Sequence, residues 1–378
     1  MSNKKAENRD RTDWKESPYL IIKGFLMGSA DIVPGVSGGT MALITGIYHR
    51  LIYAIKSVDS KTAKHLFTLR FNKLFEYFHW KFLLLLFTGI LLAIIFFTRI
   101  VPLQVYMFTH PELVYGLFFG LILGSVFLLI AELDKTHRNA KALLPLLLGS
   151  AIGFWVVTLV PAETPETFWY VFISGAVAIC AMILPGISGS YILLIFRKYD
   201  YVLSQLGAIG SAETGQALIN ILPFVIGAVT GLILFSRVLS WLLNRYYAVT
   251  LLILIGFLIG SLYVIWPYQD RDFEEVVRST EIVSLDSSLV RELKDREGVP
   301  NQPEFQRLGD QVEAEDGEMM IEVETVSRKL ISSKPYFPTN ELTESDREVN
   351  RTEGVVGMGL GFLLIIGIAF LRKRSPNH

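Results

Sequence analysis

Two stretches decide how this chain folds: VPGVSGGT at residues 33–40 and LPGISGSY at residues 184–191. Each sets Pro-Gly in the middle of a long apolar run, 18–56 and 171–206. Pro34 and Pro185 end their first arms by removing a donor and clashing with the preceding turn. Gly35 and Gly186 then permit a tight reversal and close backbone approach. From Tyr19 to Pro34 is about 16 residues, ~24 Å of helix at 1.5 Å per residue. That is short of a ~30 Å hydrocarbon core, so each run is read as a re-entrant hairpin, entering and leaving the membrane on one side.

Outward from the hairpins, apolar runs near the ~20 residues needed to cross a bilayer occur at 82–100, 113–131, 143–160, 218–238, 248–266 and 355–371. Only 19% of the 378 residues are charged, below the roughly 25% of soluble chains. The charges are also segregated. Residues 267–353 hold 22 acidic and 11 basic side chains, and the remainder 14 acidic and 24 basic. A concentrated basic face for nucleic acid is absent, and the one cysteine, Cys180, excludes a disulfide framework.

Lys and Arg favour the cytoplasmic side. They crowd 56–81, 132–142 and 372–378, and are missing from 161–170 and 207–217. With both hairpins re-entrant, every basic loop and both termini fall in the cytoplasm, and the acidic segment 267–353 falls outside. The first 17 residues carry charge of both signs without an apolar core, unlike a signal peptide.

The two hairpins head a duplicated unit. Beyond the tips, Gly89 pairs with Gly227, FTRI at 97–100 with FSRV at 235–238, and Gly120-x-x-x-Gly124-Ser125 with Gly256-x-x-x-Gly260-Ser261. Three matches in one order make a repeat. Each unit has a hairpin and three spans, and an odd number of crossings inverts the second. The expected fold is an all-α integral membrane protein with two inverted-topology repeats and a polar extracytoplasmic insert. Its parts are a cytoplasmic tail 1–17, repeat one at 18–160, repeat two beginning at 171–266, the insert 267–353, the last helix 354–371 and a tail 372–378. Within the insert, 287–297 reads as a helix and 318–326 as a strand.

Inverted repeats with interrupted apolar segments point to a transporter's midplane site. A helix N-terminus follows each tip, with Ser37 and Ser188 placed as caps. Free N–H groups, hydroxyls and a helix dipole then face one point, which suits phosphate. Candidate ligand contacts are Ser37, Gly38, Gly39, Thr40, Ser188, Gly189 and Ser190, with Pro34, Gly35, Pro185 and Gly186 shaping the tips. Asp31, opposite Met182 in the repeat, is a carboxylate deep in apolar sequence, functional by default and a candidate for ion coupling. Arg99 and Arg237 match across the repeat, one expected near each mouth, and a guanidinium grips phosphate through a planar fork. Snorkelling accounts equally well for Arg197 and Lys198. The glycine rows are read as packing faces, and no metal site is expected.

Two other classes compete. A small inorganic anion channel or carrier would use the same tips without a lipid. Gly-x-Ser-Gly at 35–38 and 186–189 also fits an intramembrane serine hydrolase, but such a serine needs a base within reach. None of the six histidines lies inside a full span, so the chain is read as a transporter and not an enzyme.

DIVPGVSGGTMALITGIY (31–48) and LPGISGSYILLIFRKY (184–199) resemble the bacterial polyprenyl-phosphate transporters of the PopT type, formerly a domain of unknown function. The resemblance covers roughly 18–266 and the last span; the acidic insert is not part of the minimal pattern. It implies a flippase-type protein of the bacterial cytoplasmic membrane that returns undecaprenyl phosphate, the carrier lipid of peptidoglycan precursors, from the outer to the inner leaflet. It also implies that the tips contribute to the phosphate site. The head carries about −1.5 to −2 charges near neutral pH. Inward movement against the membrane potential costs about 2.3 kcal/mol per charge per 100 mV, an expense that coupling to protons or Na+ would offset.

Overall fold

The computed structural model describes residues 12–33, 36–58, 62, 64–65, 68–70, 78–133, 140–159, 164–210, 214–295, 302–313, 319–338 and 350–374. It is mostly helical, and among the described residues five helices are long and apolar enough to cross a membrane. After a short turn at Trp14–Glu16, hairpin one consists of α1 (Ser17–Asp31), α2 (Gly38–Ile44) and α3 (Tyr48–Lys56). Then come α4 (Trp80–Ile95), ending in a π-helical turn at Phe96–Ile100, α5 (Leu103–Thr109), α6 (Pro111–Glu132) and α7 (Ala140–Val157). Hairpin two consists of α8 (Phe168–Ile183), α9 (Gly189–Ile195) and α10 (Tyr199–Gly207), followed by α11 (Thr214–Arg245) and α12 (Tyr247–Ile265). The final helix is α14 (Arg351–Arg374), preceded in the insert by α13 (Ser288–Asp295).

The same local structure recurs 151 residues apart. Helix α2 starts at Gly38 and α9 at Gly189, and α3 starts at Tyr48 and α10 at Tyr199. The bend between them repeats bond for bond: Ile47 N–H donates to the Ala42 carbonyl and Lys198 N–H to the Leu193 carbonyl, while Gly46 N–H reaches Leu43 and Arg197 N–H reaches Leu194. The residue at the bend has positive φ in both copies, 75° at Gly46 and 48° at Arg197.

Packing repeats too. A Cβ at Gly89 would collide with the Ile21 carbonyl, and one at Gly227 with the Phe172 carbonyl. Helix α1 therefore lies backbone to backbone on α4, and α8 on α11. The partners progress together, Trp14 beside Trp80 and Gly28 beside Ile90 and Ala93, so α1 and α4 run parallel. The matched glycine rows are close-packing faces, as expected: Gly120 lies on Met358 of α14, and Gly256 on Leu146 and Gly149 of α7.

Helix α11 separates the two hairpin exits. Lys56 Nζ of α3 donates to Ser240 Oγ at 3.0 Å, and Tyr53 Oη to Asn244 Oδ1 at 2.7 Å. Tyr201 Oη of α10 donates to the Asn220 carbonyl at 2.9 Å. Asn220 and Ser240 are twenty residues apart on one helix, about 30 Å at the α-helical rise. The exits thus sit against opposite ends of α11.

Three expectations are corrected. The chain is not all-α, because the insert folds as a three-stranded antiparallel sheet in the order β1 (Gln269–Ser284), β3 (Met319–Pro335), β2 (Glu304–Glu313). The expected helix and strand are present, but β1 and β2 were not foreseen. Most β1 side chains are exposed and many are charged, so no apolar alternation marks the strand. The helix expected at 143–160 runs from Ala140 to Val157 instead. Helix α11 runs to Arg245, well past the expected end at residue 238.

The sheet is tied to the helices at its base. Trp266 Nε1 donates to the Tyr336 carbonyl at 3.0 Å, and Tyr268 Oη to the Arg351 carbonyl at 2.8 Å. Burial holds the Tyr268 hydroxyl above its ordinary pKa, reinforced by Glu112 and opposed by Arg351. The Arg271 guanidinium lies 3.8 Å from the centre of the Tyr115 ring of α6. A small core of Val290, Ile321 and Val323 holds α13 to the sheet.

Candidate functional site

Residues 37–40, at the start of α2, meet residues 182–186, at the end of α8. Ser37 takes an extended backbone ahead of α2 (φ −128°, ψ 136°), so its Oγ accepts the Gly39 N–H at 3.1 Å. The same hydroxyl lies 3.3 Å from the carbonyl oxygens of Met182 and Leu184, to which it donates. Thr40 Oγ1, one turn later, accepts the Gly186 N–H at 2.9 Å. Gly186 has φ +82° and sits against the Phe257 carbonyl of α12, so a side chain there meets both backbone strain and collision. Ser37 is 1% exposed and Thr40 0%. These hydroxyls hold the tips together. Pro34 and Gly35 lie outside the described residues.

The two helix starts differ in capping. At α2 the carboxylate of Asp31 accepts the Gly38 N–H at 2.6 Å. Asp31 remains accessible while occupying the point where an external anion would meet that N–H. At α9 Ser188 makes no side-chain cap. Its hydroxyl pairs instead with that of Ser190 at 2.8 Å, and Ser190 is exposed. Capping by Ser37 follows the sequence expectation; capping by Ser188 does not. Met182, the counterpart of Asp31, lies against Gly189, and its side chain has no carboxylate to cap α9.

Arg99 and Arg237 are both exposed, and neither bonds to a tip residue among the described residues. Their level along the helices follows from the packing register. Gly28 lies beside Ile90 and Ala93, and Gly231 beside Ala176 and Ile179. Carried forward three residues, Asp31 and Met182 come level with about residues 94 and 234. Each arginine therefore stands about one helical turn, ~5 Å, beyond the end of its neighbouring first arm. Helix α11 continues for eight residues after Arg237.

Lys198, left open by the sequence, is enclosed at 2% exposure. Its Nζ donates to Thr164 Oγ1 at 3.2 Å and lies 5.3 Å and 5.7 Å from the ring centres of Tyr170 and Tyr201. Aromatic faces favour a cation so placed. Sequence reading did not foresee this box, because its members come from three separate segments. No group of His, Cys, Asp and Glu among the described residues is arranged to hold a metal ion.

Comparison with known proteins places this arrangement. A family model described as undecaprenyl phosphate translocase-like matches residues 27–283, a stretch that contains both tips and ends within β1. A polyprenyl-phosphate transporter of Vibrio cholerae is 41% identical over 269 residues, covering 71% of this chain and 83% of that protein. A polyprenyl-phosphate transporter of Staphylococcus aureus is 33% identical over 260 residues, covering 65% of this chain and 85% of that protein. No solved structure matches the chain. With 257 of its 378 residues inside the matched stretch, the chain belongs to the undecaprenyl phosphate translocase-like family.

Proposed function

We propose that this protein is a transporter of polyprenyl phosphate that moves undecaprenyl phosphate from the outer to the inner leaflet of a bacterial cytoplasmic membrane, with the phosphate held at the paired tips. The observation that carries this reading is the direct contact of the tips through Gly186 and Thr40 and through Ser37. Two names among its relatives support the substrate class. The hairpins are taken as re-entrant from opposite sides, a reading supported by their exits at opposite ends of α11. Both termini are then cytoplasmic and the sheet is extracytoplasmic.

In this reading the prenyl tail stays in lipid while the head crosses between the hairpins. Exposed hydroxyl and uncapped backbone at α9 receive phosphate oxygens, and the dipole there favours negative charge. At α2 the Asp31 carboxylate competes with the phosphate for the Gly38 N–H. A proton on Asp31 removes that repulsion and travels inward with the head, lowering the charge moved against the membrane potential. Arg99 meets the phosphate on its way in and Arg237 on its way out. The decisive experiment is purified protein in liposomes, which should carry labelled undecaprenyl phosphate and leave chloride and inorganic phosphate behind. Chloride or inorganic phosphate movement without lipid movement would favour the anion carrier instead.

A further inference from the structure

A cavity of about 550 Å³ lies where β1 of the insert meets hairpin two, lined by Arg197, Asp200, Tyr201, Asn220 and Arg278 among others. Its floor comes from α10 and α11, where Tyr201 and Asn220 are already hydrogen-bonded. Its wall comes from β1, whose Arg278 bonds to Asp200 Oδ1 at 3.2 Å. Glu166, also on the lining, lies close enough to Lys198 to act on its charge. Each acid on the lining therefore has a cation beside it. Arg197 is left over: its guanidinium has no hydrogen bond or ion pair among the described residues.

The backbone makes Arg197 harder to explain as filler. Its φ is +48°, a region costly for a side-chain-bearing residue, and the matching position of hairpin one holds Gly46 at φ +75°. Glycine would relieve the strain. An arginine kept there, exposed, pointing its surplus charge into a polar cavity, fits a group that meets an anion. Helix α9 is seven residues long, so the cavity lies about 12 Å along the chain's rise from tip two.

We propose that this cavity is a receiving site for a phosphate monoester, with Arg197 as its main contact and the insert as its wall. The proposal rests on the transport reading and the sidedness given above, and places the site on the outer route to the tips. Arg278 and Asp200 set its field. While they pair, and with Lys198 behind the lining set against Glu166, Arg197 is the charge left without a counterion.

The test is equilibrium binding of a fluorescent polyprenyl phosphate to the purified full-length protein in detergent, which reads binding whether or not vesicle transport is seen. Arg197→Gly, which supplies the residue of the matched bend, should weaken binding about tenfold without lowering the melting temperature. Asp200→Asn frees Arg278 toward the cavity and should tighten binding severalfold, an effect that a merely structural role for these residues would not give. Inorganic phosphate serves as competitor in a second arm. A shift in lipid affinity with unchanged competition assigns the site to the lipid head, and lost competition alone assigns it to free phosphate. Unchanged lipid binding and unchanged competition in both variants would overturn the proposal. Normal binding shifts beside absent transport would instead count against the transport reading.

Discussion

The backbone N–H of Gly186 donates to Thr40 Oγ1 at 2.9 Å, joining residues 146 positions apart in the chain. The acceptor belongs to a helix that follows one Pro-Gly segment, and the donor is the glycine of the other. This bond ties together two segments that are distant in sequence. Thr40→Val keeps the shape and removes the acceptor, leaving a buried N–H unpaired at a cost of about 1–3 kcal/mol. Thermal unfolding in detergent should show that loss for Thr40→Val and a near-parental value for Thr40→Ser. Equal stability of all three would mean the bond does not join the tips.

Close backbone approach is the second feature open to test. A Cβ at Gly227 meets the Phe172 carbonyl, while one at Gly359 meets nothing. Gly227→Ala should therefore force α8 and α11 apart and destabilise by about 1–3 kcal/mol. Gly359→Ala should be neutral or slightly stabilising, since alanine favours helix over glycine. Melting curves of the two variants side by side decide this, and equal values would dismiss the packing argument.

In the proposed mechanism Asp31 carries the coupling proton, since its carboxylate accepts the Gly38 N–H. Acid on the outer side should speed transport by the parent, by protonating Asp31 before the phosphate arrives. Asp31→Asn carries no charge at any pH, so its rate should not respond to the pH gradient. The check is initial rate in liposomes with imposed gradients of either sign. A variant that keeps the parental response removes Asp31 from the mechanism.

Arg99 and Arg237 differ in what the account asks of them. In the proposed mechanism Arg99 orients an incoming phosphate, for which the planar fork matters, whereas Arg237 helps release it by charge. Arg99→Lys should reduce transport several-fold at matched protein levels, and Arg237→Lys less than twofold. If Arg99→Lys and Arg99→Ala both transport like the parent, Arg99 is a membrane anchor and the tips act alone.

The paired helix breaks after α1 and α8 and the glycine packing faces were legible because Pro-Gly inside an apolar run has few structural outcomes, and because matched glycines mark faces where backbones touch. Gly24 and Gly89 against α4 and α1 are such marks. The sheet was not legible for the opposite reason. Strand β1 pairs along its length with β3, yet its side chains are largely exposed, and cross-strand ion pairs such as Arg307–Glu324 at 2.7 Å leave no pattern of alternating hydrophobicity. At the site, Ser37 and Ser188 look equivalent in sequence. Their roles diverge because one counterpart is Asp31 and the other Met182, so the cap, the charge and the free hydroxyls are shared unequally. Arg197 stood in plain view opposite Gly46, and the positive φ of both shows why that pairing carries information.

The central claim, that the tips hold the lipid phosphate, is tested most directly at Ser188 and Ser190. Their hydroxyls bond to one another, so replacing both leaves neither hydroxyl of the pair without its partner. The measurement is translocation of labelled undecaprenyl phosphate in liposomes by the Ser188→Ala/Ser190→Ala double variant, at parental melting temperature. The account predicts a loss of about tenfold or more; parental transport by that variant would contradict it.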